Sequence, residues 1–389
     1  MPQNTLASAN IKFALSFFKV VCKDLKGENA FFSPFSISAA LSMTQIGARE
    51  NTAKEMAQVL GWESENGEKI HQQFQKYLTK LQKRSGIYQL STANRIFLEK
   101  TFTVIEDFKK KTKEWYLAEP AQANFTGNPK SETEKINTWV AEQTQNKIKD
   151  LFGAGVINSW TRMVLVNAIY FKGKWDKEFD AKSTSPMPFK LSPEQTIDVP
   201  TMFNQQYYGF YVDCELQFTA VELLYKGREL RMVIILPDED FGLEQLVETL
   251  TPEKLNSVIK DVSLNKELIQ LQLPKFEITS SYMLKQALTS LGMVDAFRKQ
   301  TADFSGITGQ RDLVLSEVAH KAFVQVNEEG TEAAAATGAV MMMRCCMPPP
   351  VPVVKVDHPF LFLISEHRAD GSILFLGQVD NPSSEIVSF

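Results

Sequence analysis

What this sequence has little of restricts its chemistry first. Of its 389 residues only four are cysteine and four histidine. Cys22, Cys214, Cys345 and Cys346 form no CxxC pair and no framework spacing, which implies a reducing compartment rather than a disulfide scaffold. Adjacent Cys345 and Cys346 lack the second thiol pair or the histidines that would complete a zinc site, so no metal site is expected. Among His71, His320, His358 and His367, the second and third stand in apolar, strand-like surroundings, where a lone histidine reads as a hydrogen-bonded core residue. GxSxG, HExxH and the P-loop are all missing, and "GAGVIN" at 153–158 lacks the third glycine of a dinucleotide fingerprint. Neither an enzyme nor a cofactor is expected.

Charge and hydropathy exclude further classes. The net charge of −4 offers no basic field for nucleic acid. The best apolar run, "MVLVNAIYF" at 163–171, is far shorter than the roughly 18 residues a bilayer span needs, so no membrane partner is expected. The opening "MPQNTLASANIKFALSFFKVV" has neither a basic leader nor a small-residue cleavage site. Its Phe13, Ala14, Phe17 and Phe18 recur at helical spacing, as in an amphipathic helix of the mature domain. The expected location is the cytoplasm or nucleocytoplasm, with leaderless secretion left open. The sequon at Asn124 matters only in a secreted chain.

What is present is an ordinary globular composition, with 44% apolar residues and 27 phenylalanines to fill a large core. The first 150 residues read mainly as helices, among them "SISAALSMTQIGA", "TAKEMAQVLG" and "SETEKINTWVAEQTQNKI", with Pro34 in a first turn. Residues 161–175, 230–237 and 268–279 read as strands, the last as one continuous run, "LIQLQLPKFEIT". Beyond 320 come "AFVQVNEEG", "VPVVKV", "PFLFLISE" and "SILFLGQV", the last two joined by a hairpin turn, "HRADGS". Helices first and strands later predict an α+β fold. With no linker or repeat, residues 1–389 read as one domain. Lys76, Lys80, Lys83 and Arg84 share a helix face, read as solvated rather than as a polyanion site.

One stretch resists this description: "EEGTEAAAATGAVMMMRCCMPPPVP", from Glu328 to Pro352. An alanine-rich helix followed by a loop is one reading. Read instead as a strand, one face carries Thr331, Ala333, Ala335 and Thr337, and the other carries Glu332, Ala334, Ala336 and Gly338. Every N–H is available, no bulky group blocks entry, and Glu332 is the only charge from Gly330 to Met343, so the segment could enter a sheet. Pro348, Pro349, Pro350 and Pro352 could not follow it. The two halves divide near Arg344-Cys345, and an arginine in an extended loop suits the acidic pocket of a trypsin-like protease.

This stretch resembles the reactive-centre loop of the serpins. "NAFFSPFSISAALSMTQIGARENTAKEM" (29–56), "LVNAIYFKGKW" (165–175), "LPKFEI" (273–278), "ADFSGI" (302–307), "LSEVAHKAFVQVNEEGTEAAAAT" (315–337) and "DHPFLFLI" (357–364) are similar to family motifs in family order. The start is similar to the ovalbumin-like, intracellular branch (clade B). The resemblance implies one domain with three β-sheets, about nine helices and a reactive-centre loop at about 328–352. It implies a suicide substrate, monomeric, whose partners are trypsin-like serine proteases and, secondarily, lysosomal cysteine proteases. The reactive bond falls at Arg344-Cys345. The hinge comprises Glu328, Glu329, Gly330, Thr331, Glu332, Ala333, Ala334, Ala335, Ala336 and Thr337. Ser33, Ser36, Asn167 and His320 match a polar cluster beneath the sheet that opens. Lys275, Glu328 and Trp175 match a group at the top of that sheet. The alternatives are a non-inhibitory serpin serving in storage, chaperoning or binding, and a shifted cut at Met343 that would favour chymotrypsin-like proteases.

Overall fold

The computed structural model describes residues 6–23, 25, 27–62, 67–82, 88–329, 350–367, 371–384 and 386–388. Gly330 to Thr337, Arg344, Cys345, Cys346, Lys83 and Arg84 lie outside the described residues.

Ten α-helices lie among the described residues: α1 (Leu6–Cys22), α2 (Pro34–Gln45), α3 (Glu50–Val59), α4 (Gly67–Gln82), α5 (Glu106–Tyr116), α6 (Pro129–Gln143), α7 (Leu243–Thr249), α8 (Pro252–Asp261), α9 (Lys285–Ser290) and α10 (Ser305–Thr308). The strands, in chain order, are β1 (Ala30–Phe32), β2 (Tyr88–Glu99), β3 (Ala121–Ala123), β4 (Met163–Gly173), β5 (Ser185–Ser192), β6 (Gln195–Asp213), β7 (Phe218–Leu224), β8 (Leu230–Pro237), β9 (Lys266–Pro274), β10 (Phe276–Met283), β11 (Leu315–Val326), β12 (Val353–Lys355), β13 (Phe360–Glu366), β14 (Ile373–Val379) and β15 (Ile386–Ser388).

They form two hydrogen-bonded networks. One is a six-stranded sheet in the order β15-β10-β11-β4-β2-β3. The other runs β1-β14-β13-β8-β7-β6-β9-β12, with β5 also on β6. The long strand β6 divides the second network. Its first part pairs with β5 and β9, and its last residues, from Gly209, pair with β7. Gly209 stands at the changeover because a Cβ there would lie 2.5 Å from the Val262 carbonyl oxygen. Two sheets meet at β6, and with the six-stranded sheet they make the three that the resemblance to serpins implied.

Two sequence readings need correction. Residues 268–279 are not one strand: the chain leaves one sheet at Pro274 and enters another at Phe276. The apolar alternation shifts phase there, from Ile269, Leu271 and Leu273 to Phe276 and Ile278, and that slip with Pro274 inside it is the mark the one-strand reading passed over. The first 150 residues also contain the 12-residue strand β2, which pairs along nearly its whole length with β4. The hairpin reading holds at the level of pairing, since β13 and β14 are antiparallel neighbours.

The six-stranded sheet is covered on both faces. On β4, Val164, Val166, Ala168 and Tyr170 join a core with Ile136 and Val140 of α6. Met163, Leu165, Ile169 and Phe171 point the other way, into the main core. That period-two alternation sends Asn167 into the main core too. Helix α2 lies there, buried from Pro34 to Thr44.

Candidate functional site: the seam between β11 and β4

Four polar side chains cross the six-stranded sheet in one row. Register aligns Tyr282 with His320, His320 with Asn167, and Asn167 with Asn94, on β10, β11, β4 and β2. All four sit at the strand parity that faces the main core. Helix α2 brings Ser33 and Ser36 beneath them. Ser33 caps α2: its Oγ accepts from the Ser36 N–H at 3.1 Å and donates to the Leu374 carbonyl at 2.6 Å. Pro34 at the first helical position fits the cap.

The bonding pattern fixes the histidine tautomer. The Ser33 backbone N–H donates to His320 Nε2 at 3.1 Å, so Nε2 carries no proton. Nδ1–H then donates to Asn167 Oδ1. Asn167 Nδ2 donates to Ser36 Oγ at 2.6 Å, to the Ser36 carbonyl at 3.1 Å and to Asn94 Oδ1. Burial pushes the His320 pKa down to about 3, and the Asn167 bond only partly offsets it. The imidazole is therefore neutral at physiological pH. The Tyr282 ring stacks on it, and the Tyr282 hydroxyl accepts from the Phe31 N–H at 3.1 Å. Ser33, Ser36, Asn167 and His320 thus meet as expected. Asn94 and Tyr282 complete the row and were not expected. The sequence reading did not single out β2, and it is the pairing opposite Asn167 that places Asn94 in the row.

The second cluster closes the end of β11. The Trp175 Nε1–H donates to the Asn327 carbonyl at 2.9 Å, while its ring stacks on Tyr225 at 4.6 Å. Lys275, at the break between β9 and β10, reaches Glu328 at 2.8 Å. Thr184 Oγ1 donates to the same carboxylate at 2.8 Å, and the Phe179 N–H donates to the Glu328 carbonyl at 3.0 Å. Burial alone would raise the Glu328 pKa, but the bonds from Lys275 and Thr184 outweigh it and hold the carboxyl below its ordinary value. Trp175, Lys275 and Glu328 come together as expected; Thr184 and Phe179 were missed. Glu329 follows, still described, and Gly330 is the first residue outside.

The chain re-enters the described structure at Pro350. Pro352 accepts from the Gln270 N–H at 2.9 Å, and β12 then pairs in parallel with β9. Residues 330–349 are therefore tethered at both ends, at Glu328 and at β12.

The seam has one topological property of its own. β10 and β11 are antiparallel, as are β4 and β2, but β11 and β4 are parallel. They pair directly from Met163 to Phe171 of β4, apart from a shift near Leu315, so the sheet is closed there. A strand entering between them, running opposite to β11, would be antiparallel to both neighbours. Antiparallel ladders are slightly the more stable per residue.

Two further expectations meet the structure. Lys80 does not present a free cation: it pairs with the buried Glu366 at 2.7 Å. No helix among the described residues is long and apolar enough to cross a membrane.

Comparison with known proteins gives the same picture. The model of the family described as Serpin (serine protease inhibitor) matches residues 8–382. Serpin B6 of Pongo abelii is 44% identical over 97% of this chain and 100% of its own length. The leukocyte elastase inhibitor of Bos taurus is 41% identical over 97% of this chain and 99% of its own. The structure of uncleaved ovalbumin superposes with a TM-score of 0.87 at 28% identity, covering 97% of this chain and 100% of that one. From family model, relatives and fold together, the chain belongs to the serpins, a family of protease inhibitors and not of enzymes, with relatives in the ovalbumin-like branch.

Proposed function

We propose that this protein inhibits trypsin-like serine proteases as a suicide substrate cleaved at Arg344-Cys345, and that lysosomal cysteine proteases are secondary targets. The observation that carries the reading is the parallel β11–β4 seam, continued directly into a segment of small, nearly uncharged residues. The protease's nucleophile attacks the Arg344 carbonyl, forms the acyl-enzyme and releases the Cys345 amine. The hinge from Glu328 to Thr337 then enters the seam antiparallel to both flanking strands. Strand addition supplies the driving force, and the acylated protease moves with the strand.

The two clusters have separate roles in this reading. Lys275, Thr184 and Trp175 hold Glu328 and Asn327 at the seam's entrance. Ser33, Ser36, Asn167, His320 and Asn94 bridge the strands that part, and their bonds must break and re-form as the new strand passes. The match of one family model to residues 8–382 favours one domain over residues 1–389, with the reactive-centre loop at about 328–352, acting as a monomer in the cytoplasm.

Mixing with trypsin and running a denaturing gel tests this. A band near the summed mass, with mass spectrometry placing the cut at Arg344-Cys345, supports inhibition. Cleavage of the loop without that band favours the non-inhibitory reading, and a cut at Met343 would shift the reactive bond.

A further inference from the structure

A second group of polar side chains lies away from the seam, where three segments meet. His358 is buried between β12 and β13. Its Nε2 lies 2.9 Å from the Pro237 carbonyl oxygen, at the end of β8. A carbonyl can only accept, so Nε2 carries the proton. Nδ1 therefore faces outward from that bond, and it faces two carboxylates: Asp357 Oδ1 at 2.9 Å and Asp240 Oδ1 at 3.7 Å. That contact calls for positive charge, carried either by a proton on Nδ1, which makes an imidazolium, or by a metal ion held among the three ligand atoms. Among the described residues, Lys190 brings an ammonium to the carboxylates, with Nζ 2.6 Å from Asp240 Oδ2. Lys190 and Asp240 are each more than 40% exposed, so the ammonium can leave into water at small cost.

We propose that His358 Nδ1, Asp357 and Asp240 form a binding site for a divalent transition metal such as zinc. One ligand atom from each lies within 4.8 Å of the other two. Metal–ligand bonds of about 2.0–2.1 Å set tetrahedral ligand–ligand separations near 3.4 Å. The observed 2.9 and 3.7 Å bracket that value, and small rotations of the two half-exposed aspartates close the difference. The Pro237 carbonyl supplies the outer support that metal-bound imidazoles use, accepting the other ring N–H and fixing the tautomer. One imidazole and two carboxylates suit zinc, cobalt or manganese, and a fourth position stays open to water.

The site occupies a distinctive place in the fold. Asp357 and His358 follow β12, the three-residue edge strand that returns the 330–349 segment to the body. Asp240 belongs to the turn between β8 and α7. A bound ion would tie that return leg to the turn. The inference does not depend on how the protein treats proteases.

Zinc titration by calorimetry on the full chain tests it, alongside Asp240→Asn and Asp357→Asn. Both variants keep all four thiols, so zinc held by cysteine would not change. The site predicts one zinc whose affinity falls about 10-fold or more in each variant. Cobalt should give the visible bands of a tetrahedral nitrogen–oxygen set without the intense thiolate band in the near ultraviolet. Zinc should raise the melting temperature of the parent chain more than that of either variant. No zinc binding, or binding unchanged in both variants, overturns the proposal and leaves His358 as the centre of an ion pair.

Discussion

The middle and the entrance of the seam are held by opposite kinds of chemistry. At the middle, His320, Asn167 and Ser33 are fully buried and the histidine is neutral. At the entrance, a half-exposed Lys275 meets a mostly buried Glu328, and both carry charge. A buried neutral network has no water to take its place, so removing one member strands donors and acceptors. An ion pair near the surface loses little, because solvent takes over each partner. The seam should therefore be strong at its middle and easily released at its entrance. That order suits the proposed opening of the sheet from the entrance downward.

The largest expected effect is at the middle. His320→Ala leaves the Ser33 N–H and Asn167 Oδ1 without partners and opens a cavity. We expect a loss of about 3 kcal/mol in denaturant unfolding. Asn94→Ala, at the outer end of the row, should cost about 1 kcal/mol. Trp175→Phe keeps most of the ring but removes the donor to Asn327, with an expected loss of about 1 kcal/mol. Glu328→Gln should cost less than about 1 kcal/mol, since Thr184 can still donate to the amide oxygen. A Glu328→Gln loss equal to that of His320→Ala would break the contrast.

Acid separates the two regions by pH window. His320 is neutral in the folded protein down to about pH 3, whereas the ordinary histidine value is 6.5. The unfolded chain therefore binds the extra proton below 6.5, and stability is lost as pH falls from about 6.5 toward 3. The Glu328 carboxyl is held below the ordinary glutamate value of 4.5, so its contribution is present above 4.5 and is lost only below it. His71 adds to the first window, since burial lowers its pKa to about 4. His320→Gln should flatten the stability profile between pH 6.5 and 4.5, and Glu328→Gln should leave that interval unchanged.

The hinge supplies a functional counterpart. Thr331→Arg would place a charge where the entering strand meets the core, and an unpaired buried charge costs several kcal/mol. The variant should be cleaved by trypsin as fast as the parent but form few covalent complexes, read as band intensity on a denaturing gel.

How much of this was legible in the sequence differs by region. Strand β4 declared itself, because a run apolar on both faces reads as a buried strand. His320 by itself read only as a core histidine, and the resemblance to serpins joined it to Ser33, Ser36 and Asn167. Asn94 stayed hidden because an asparagine in an alternating strand carries no mark of what lies across the ladder. The change of sheet at Pro274-Lys275 leaves a one-residue slip in the apolar alternation, from Leu273 to Phe276, but such a slip does not say that the chain passes to another sheet. Lys275 owes its place at the entrance to that change. Local pattern reports which face a residue takes; it does not report which strand lies beside it.

The most direct test locks the seam. Lys321→Cys with Ala168→Cys places thiols on paired residues of β11 and β4, at a spacing that parallel neighbours offer a disulfide. In the oxidised form trypsin should cut the loop and leave free, and reduction should restore the covalent band. Equal trapping by the locked and reduced forms would contradict the account, because the sheet would then not need to part between β11 and β4.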